Sequence, residues 1–267
     1  LPEKIMKRFK FKIIILSFSL LLTSIAPSLS AGSGGELLKV DWSFKGLTGK
    51  FDRASLQRGF QVYKEVCSSC HSMQYLSYRN LGEPGGPEFS EQEVKAIAAS
   101  IEIEDGPDSQ GEMFTRAGRP ADKFKSPYPN VNASIAANGG AYPPDMSVLV
   151  KARPGGSNYI YSVLMGYEDP PAGMNLDDGV YYNKYMIGNK IKMSSPLSDD
   201  IVEYTDGTQA SVDQMAKDVT TFLTWAAEPE LEERHRTGVK VIIYLILLTT
   251  LVYLSMKKIW SRVDTEV

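Results

Sequence analysis

Val66-Cys67-Ser68-Ser69-Cys70-His71-Ser72 holds both cysteines of the chain and one of its two histidines. Cys-x-x-Cys-His is the attachment signature of a c-type haem: the two thiols add to the haem vinyl groups and the adjacent histidine supplies an axial nitrogen to iron. Two intervening residues place both sulfurs on one edge of the porphyrin, and the next residue turns its ring under the metal. A zinc site needs about four well-separated ligands, yet the whole chain holds 2 cysteines and 2 histidines, and Cys70 and His71 are neighbours. A thioredoxin-type dithiol needs no histidine at that position, and a disulfide across two residues would be strained. The expectation is one covalently attached haem c, held by Cys67 and Cys70, with His71 on the metal.

Working outward, Lys7, Arg8, Lys10 and Lys12 precede an apolar run over 13–22, and small residues follow at Ser28, Ser30 and Ala31. That order predicts a secretory signal peptide over residues 1–30, because ten strongly apolar residues are too few to span a bilayer. Export agrees with the haem reading, since a thiol pair entering an oxidising compartment needs a covalent fate. At the other end, the 18 residues 239–256 are almost wholly apolar. As a helix they rise about 27 Å, roughly enough to cross the hydrocarbon core. Lys257, Lys258 and Arg262 follow at once. Arg234, Arg236 and Lys240 balance them on the near side, so the signal peptide and not the charge orients the span, with the head outside.

Between these ends lies one domain's worth of chain. Its formal net charge of −3 gives no reason to invoke nucleic acid. Leu56, Phe60 and Tyr63 form a helical apolar stripe that delivers the chain into Cys67. Ser90 and Glu93 make a capping box for a helix to about Ser100, with Phe89 and Val94 placed as its staple. Eight acidic residues between Glu88 and Glu112 face Lys95 alone, a solvated surface or a docking face for a basic partner. Residues 117–157 are so rich in Pro, Gly and Asn that turns and little sheet are expected, loops able to wrap a flat apolar cofactor. Short helices are expected over 145–152 and 158–165, the second stopped by Gly166. A last helix follows Ser211 and Gln214, with Met215, Val219, Phe222 and Leu223 as its stripe.

Haem iron takes a sixth ligand. The remaining histidine, His235, lies about four residues before the apolar span and so at a bilayer surface. Among 10 methionines, Met193 sits in a loop flanked by Gly188 and Pro196, late in the domain and ahead of the last helix. The order helix, Cys-x-x-Cys-His, loops, methionine loop, last helix is that of a mono-haem cytochrome c. A thioether opposite histidine favours ferrous iron and raises the potential. It leaves no vacant position for bond chemistry, so no general acid, base or nucleophile is assigned.

Three longer stretches extend the reading: Arg58-Gly59-Phe60-Gln61-Val62-Tyr63-Lys64-Glu65-Val66-Cys67, Ala136-Ala137-Asn138-Gly139-Gly140-Ala141-Tyr142-Pro143-Pro144-Asp145, and the run from Ala216 to Glu230. With the terminal anchor, the chain resembles the cytochrome c1 family, the haem subunits of ubiquinol:cytochrome c oxidoreductase, over about residues 41–260. The resemblance implies Cys67 and Cys70 as thioether attachments and His71 and Met193 as axial ligands. It implies Arg153 as the partner of a haem propionate, and Pro144 and Tyr159 as pocket positions. It further implies cytochrome b and Rieske iron-sulfur subunits as partners in a dimeric complex, a soluble or tethered cytochrome c as acceptor, and a bacterial inner membrane with the haem domain on the periplasmic side. The chain departs from the family in its methionine loop, where Ser194-Ser195 precede a single Pro196 in place of a small residue and two prolines, and it has no cysteines to spare for an extra disulfide.

The expected architecture is mainly α: a cytochrome c-like haem domain with long Pro/Gly-rich loops over 31–236, one transmembrane helix over 237–258 and a cytoplasmic tail over 259–267. A free-standing anchored cytochrome c feeding an oxidase or reductase is the nearest rival, though its head usually needs about half this length. A haem sensor or peroxidase would need an open sixth site, and a structural anchor subunit would keep its electron transfer without Met193.

Overall fold

Asp52 starts the first long element because its carboxylate accepts from the Ser55 N–H at 3.2 Å, capping helix α1 (Arg53–Glu65). The face of α1 made by Leu56, Gly59, Phe60, Val62 and Tyr63 is buried. In a computed structural model that describes residues 35–263, this face packs on helix α5 (Val212–Ala227), capped by Ser211. The expected signal peptide over 1–30 lies outside the described residues.

Gly59 lets α1 and α5 meet almost backbone to backbone: a Cβ there would lie 2.1 Å from the Asp218 carbonyl oxygen. Around that contact the rings of Phe60 and Tyr63 stand 5.7 and 5.8 Å from Phe222, a spacing at which aromatic pairs add about 0.5–1.5 kcal/mol beyond burial. Arg58 ties the two helices at the edge. Its Nε and Nη2 donate to Asp218 at 2.8 and 3.1 Å, and its Nη1 donates to Asp206 at 2.8 Å. The Asp218 side chain is 0% exposed, so the guanidinium is what makes its burial tolerable.

Three shorter helices complete the head: α2 (Glu91–Ala99), α3 (Val131–Ala137) and α4 (Ser157–Met165), the last packed on α5. The Ser90/Glu93 capping box starts α2 as expected, and Gly166 ends α4. Residues 35–52 have no regular structure, yet they bury Trp42, Phe44 and Phe51. They are pinned to α4 where Trp42 Nε1 donates to Asn158 at 2.6 Å and Leu38 N–H donates to Ser162 at 2.9 Å.

Strand β1 (Glu102–Asp105) pairs antiparallel with β2 (Phe114–Ala117), and β3 (Tyr181–Tyr182) pairs with β4 (Lys190–Ile191). The first pair lies at the acidic stretch and is fastened by Arg116, which donates to Asp105 at 2.5 Å and Asp122 at 2.7 Å. Neither the pair nor α3 was expected from sequence.

The helix expected over 145–152 is instead a run of turns. Asp145 is the reason. One of its oxygens accepts from the Ser147 N–H at 2.8 Å in an Asx turn. The other is drawn away to the haem-motif segment by Ser72 at 2.7 Å and the Gln74 N–H at 2.9 Å. The β-branched Val148 and Val150 and the following Pro154 give a helix little support.

Helix α6 (Leu231–Val263) runs 33 residues without a break and overruns the expected span at both ends. It is long and apolar enough to cross a membrane, with mean hydropathy 2.1 in its most apolar window and none of that window buried. Its first turns are fastened to the head. Glu232 accepts from the Phe51 N–H at 2.8 Å and from Arg53 Nη1 and Nη2 at 2.8 and 2.9 Å, and His235 Nδ1 donates to the Gly49 carbonyl at 3.0 Å.

Candidate haem site

The last turn of α1 passes into a tight 3-10 turn, Cys67–Ser69. Cys70 and His71 N–H both fold back on the Cys67 carbonyl, at 3.2 and 2.9 Å. Ser68 and Ser69 turn their hydroxyls onto the Lys64 and Val66 carbonyls at 2.7 and 2.9 Å, satisfying groups that the end of α1 leaves open. The spacing of the motif thus becomes a single rigid turn. Its two cysteines do not form a disulfide with each other.

Cys67, Cys70 and His71 line one cavity of about 420 Å³ together with Pro144, Arg153, Tyr159 and Met193. The seven residues named from sequence therefore meet at one place, although they span more than 120 positions of chain. The back wall is Val219 and Leu223 of α5, with Ile160, Val163 and Leu164 of α4.

His71 is 8% exposed, and its Nδ1 donates to the Pro144 carbonyl at 2.8 Å. A carbonyl can only accept, so the proton sits on Nδ1 and the Nε2 lone pair is left for a metal. Burial pulls the His71 pKa below its usual value, against the opposing effects of the Pro144 carbonyl and nearby Asp145. The neutral imidazole, the form that binds metal, is the favoured one. Burial, with Cys70 beside it, pushes the Cys67 thiol up to about 12, which favours its protonated form.

The facing side is built from loops. Met193 is half-buried just beyond β4. Its carbonyl accepts from the Tyr167 hydroxyl at 3.1 Å, and its neighbour Lys192 reaches the Gly139 carbonyl at 3.0 Å. Arg153 is half-buried, its Nη1 donating to the Ala152 carbonyl at 3.1 Å. Tyr159 is buried and donates to the Met186 sulfur at 3.1 Å.

The donor set fits a c-type haem. Two cysteine sulfurs lie on one turn, an imidazole nitrogen and a thioether line the same space, and aliphatic side chains wall it. The half-buried Arg153 guanidinium also lines it, a group able to pair with an acidic substituent of such a cofactor. Sequence reasoning missed Met146 and Met186, two further thioethers in the cavity, because nothing in their local sequence separates them from core methionines. It also missed Asp145 as the residue that shapes the strap carrying Pro144. An Asp directly after Pro143-Pro144 was the available signal, and it was spent on a helix that is not there.

Comparison with known proteins bears on the same residues. The Cytochrome C1 family model matches residues 42–263. The chain is 46% identical over 260 residues to "Cytochrome c1" of Rhodospirillum rubrum, covering 91% of this chain and 94% of that protein. It is 50% identical over 224 residues to "Cytochrome c1-2, heme protein, mitochondrial" of Solanum tuberosum, covering 84% of this chain and 85% of that protein. Against "Cytochrome b/c1" of Bradyrhizobium diazoefficiens it is 49% identical over 239 residues, which is 82% of this chain but 35% of the longer protein. With the haem motif inside the matched span and nearly all the described residues covered, the chain belongs to the cytochrome c1 family.

Proposed function

We propose that this chain is the electron-transfer haem subunit of a quinol:cytochrome c oxidoreductase of the cytochrome bc1 type. The observation that carries the reading is the single cavity into which the chain brings two cysteine sulfurs, a metal-ready imidazole and the Met193 thioether. Cys67 and Cys70 hold the haem covalently, His71 and Met193 bind its iron, and Arg153 pairs with a propionate. Pro144 orients His71, and Tyr159 completes the wall. The bound haem supplies a one-electron ferric/ferrous couple. The rest of the work of the chain is to hold that group, exclude water with the α4 and α5 walls, and fix both axial donors so that little rearranges on electron transfer. His71 and Met193 would both be spent on the iron, and no proton-transfer or nucleophilic role is assigned to a side chain.

The electron arrives from a Rieske iron-sulfur subunit and leaves to a soluble or tethered cytochrome c, with cytochrome b as the membrane partner in a dimeric complex. Residues 1–30 are removed on export. The head over 31–236 stands on the periplasmic side of the inner membrane, residues 237–258 cross it, and 259–267 end in the cytoplasm. The relatives' names, the cavity and the apolar α6 support this arrangement.

The test is purification in mild detergent, followed by a redox spectrum and a quinol-to-cytochrome c assay on the same sample. The expected result is a c-type spectrum that stays with the chain under denaturing conditions, together with b-type haem and quinol oxidation. A lone c-type haem that quinol does not reduce would overturn the assignment of partners and leave a free-standing electron carrier.

A further inference from the structure

Pro144 holds His71 through a carbonyl, and that carbonyl belongs to the peptide group shared with Asp145. Whatever fixes Asp145 therefore fixes the direction in which the carbonyl points. The Asp145 carboxylate is gripped on both flanks, by Ser72 (2.7 Å) and the Gln74 N–H (2.9 Å) from the segment just after His71, and by the Ser147 N–H (2.8 Å) from its own strap. Two further bonds stitch the same segments together, from the Met146 N–H to the Ser72 carbonyl at 2.8 Å and from the Tyr75 N–H to the Ser147 hydroxyl at 3.1 Å. Pro144 has its own φ locked by its ring, so the torsions left to turn the shared peptide are its own ψ and the φ of Asp145, and the bonds to Asp145, Met146 and Ser147 restrain both. These donors outweigh the cost of half-burial and hold the Asp145 carboxyl below its usual range, which keeps it an anion.

We propose that Asp145 is a positioning residue for the metal-facing histidine: its carboxylate locks the peptide that carries the Pro144 carbonyl, and through it fixes the orientation and electron-donating strength of the His71 ring. A ligating histidine commonly owes its tautomer and donor strength to the group on its other nitrogen, and removing such a partner commonly costs at least tenfold in metal affinity or activity. Here that partner is a backbone carbonyl, which cannot be mutated away. The charged clasp one residue on is the point at which the chain can tune it. The inference rests on His71 being the axial ligand.

The experiment uses the full chain in its purified membrane complex. Asp145→Asn keeps the size and removes the charge; Ser72→Ala keeps the charge and removes one of the three donors. Haem content, the ferric low-spin electron paramagnetic resonance g-values, which report axial-ring orientation, and the ferrous/ferric ratio at fixed ambient potential are read for each. Asp145→Asn is expected to retain its haem, to shift the g-values, and to raise the ferrous/ferric ratio by about tenfold, because loss of a nearby negative charge favours the less positive iron. Ser72→Ala is expected to shift the g-values while leaving the ratio within about twofold of the parent, the scale of one neutral hydrogen bond. Should Asp145→Asn not accumulate, Ser72→Ala decides alone. Parental g-values and ratio in the variants obtained would overturn the proposal. A parental low-spin signal surviving in His71→Ala would instead overturn the ligand assignment beneath it.

Discussion

The two sides of the haem cavity are built in opposite ways. The His71 side is a helix end, a tight turn and a strap clasped by a buried-flank carboxylate, and its ring is held at 2.8 Å by a carbonyl. The Met193 side is a loop beyond a two-residue strand, where the Met193 carbonyl accepts from Tyr167 and the Lys192 side chain donates to the Gly139 carbonyl. One donor is positioned before any cofactor arrives. The other is presented by a segment whose side chain nothing directional restrains. The His71 side is thus specified by folding alone, while the Met193 side keeps a freedom that the proposed ligation would take up.

The most damaging way to break the stiff side is Arg58→Ala. It strands the Asp218 carboxylate, 0% exposed, without its guanidinium; loss of one partner of a buried pair costs roughly 3–5 kcal/mol, which chemical denaturation should show as a lower midpoint with haem still attached. Next comes Gly59→Ala, whose Cβ would meet the Asp218 carbonyl oxygen at 2.1 Å and Phe222 Cβ at 2.7 Å. Forcing α1 and α5 apart is expected to cost about 1–3 kcal/mol and to loosen the walls carrying Val219 and Leu223. On the loop side, Met193→Leu should cost less than about 1.5 kcal/mol of stability, since volume is kept. It should nevertheless lower the redox potential and open the reduced iron to carbon monoxide; an unchanged potential and no carbon monoxide binding would remove Met193 as ligand.

The smallest expected effect is a pH dependence at the rim of the stiff side. The Thr208 N–H and Arg58 hold the Asp206 carboxyl down at about 2. A group depressed in the folded state contributes stability above its unfolded value of 3.8 and loses it as pH falls through about 2. Because Asp206 is 40% exposed, solvent screens the pair. Thermal melts of the parent and Asp206→Asn should differ slightly at neutral pH and converge below that window.

What could be read from sequence followed the same division. Helices α1, α2, α4 and α5 announced themselves because periodic apolar faces and capping residues act within one or two turns of chain. The attachment motif is local too. Residues 145–152 misled because the Asp145 carboxylate answers to Ser72 and Gln74, more than 70 positions away, and no local pattern records that pull. Strand β1 was hidden because its residues, Glu102-Ile103-Glu104-Asp105, read as a solvated acidic run until Arg116 and the facing β2 are in place. Met186 went unnoticed for a related reason: its place beside Tyr159 is set by the path of the chain from Gly166 to Met193, a stretch of turns with no period to follow.

Helix α6, at 33 residues, is about 50 Å long, and the head grips its first turns through Glu232 and His235. Head and helix are therefore one mast. Any tilt of the helix carries the whole head with it, along an arc set by the length of the lever.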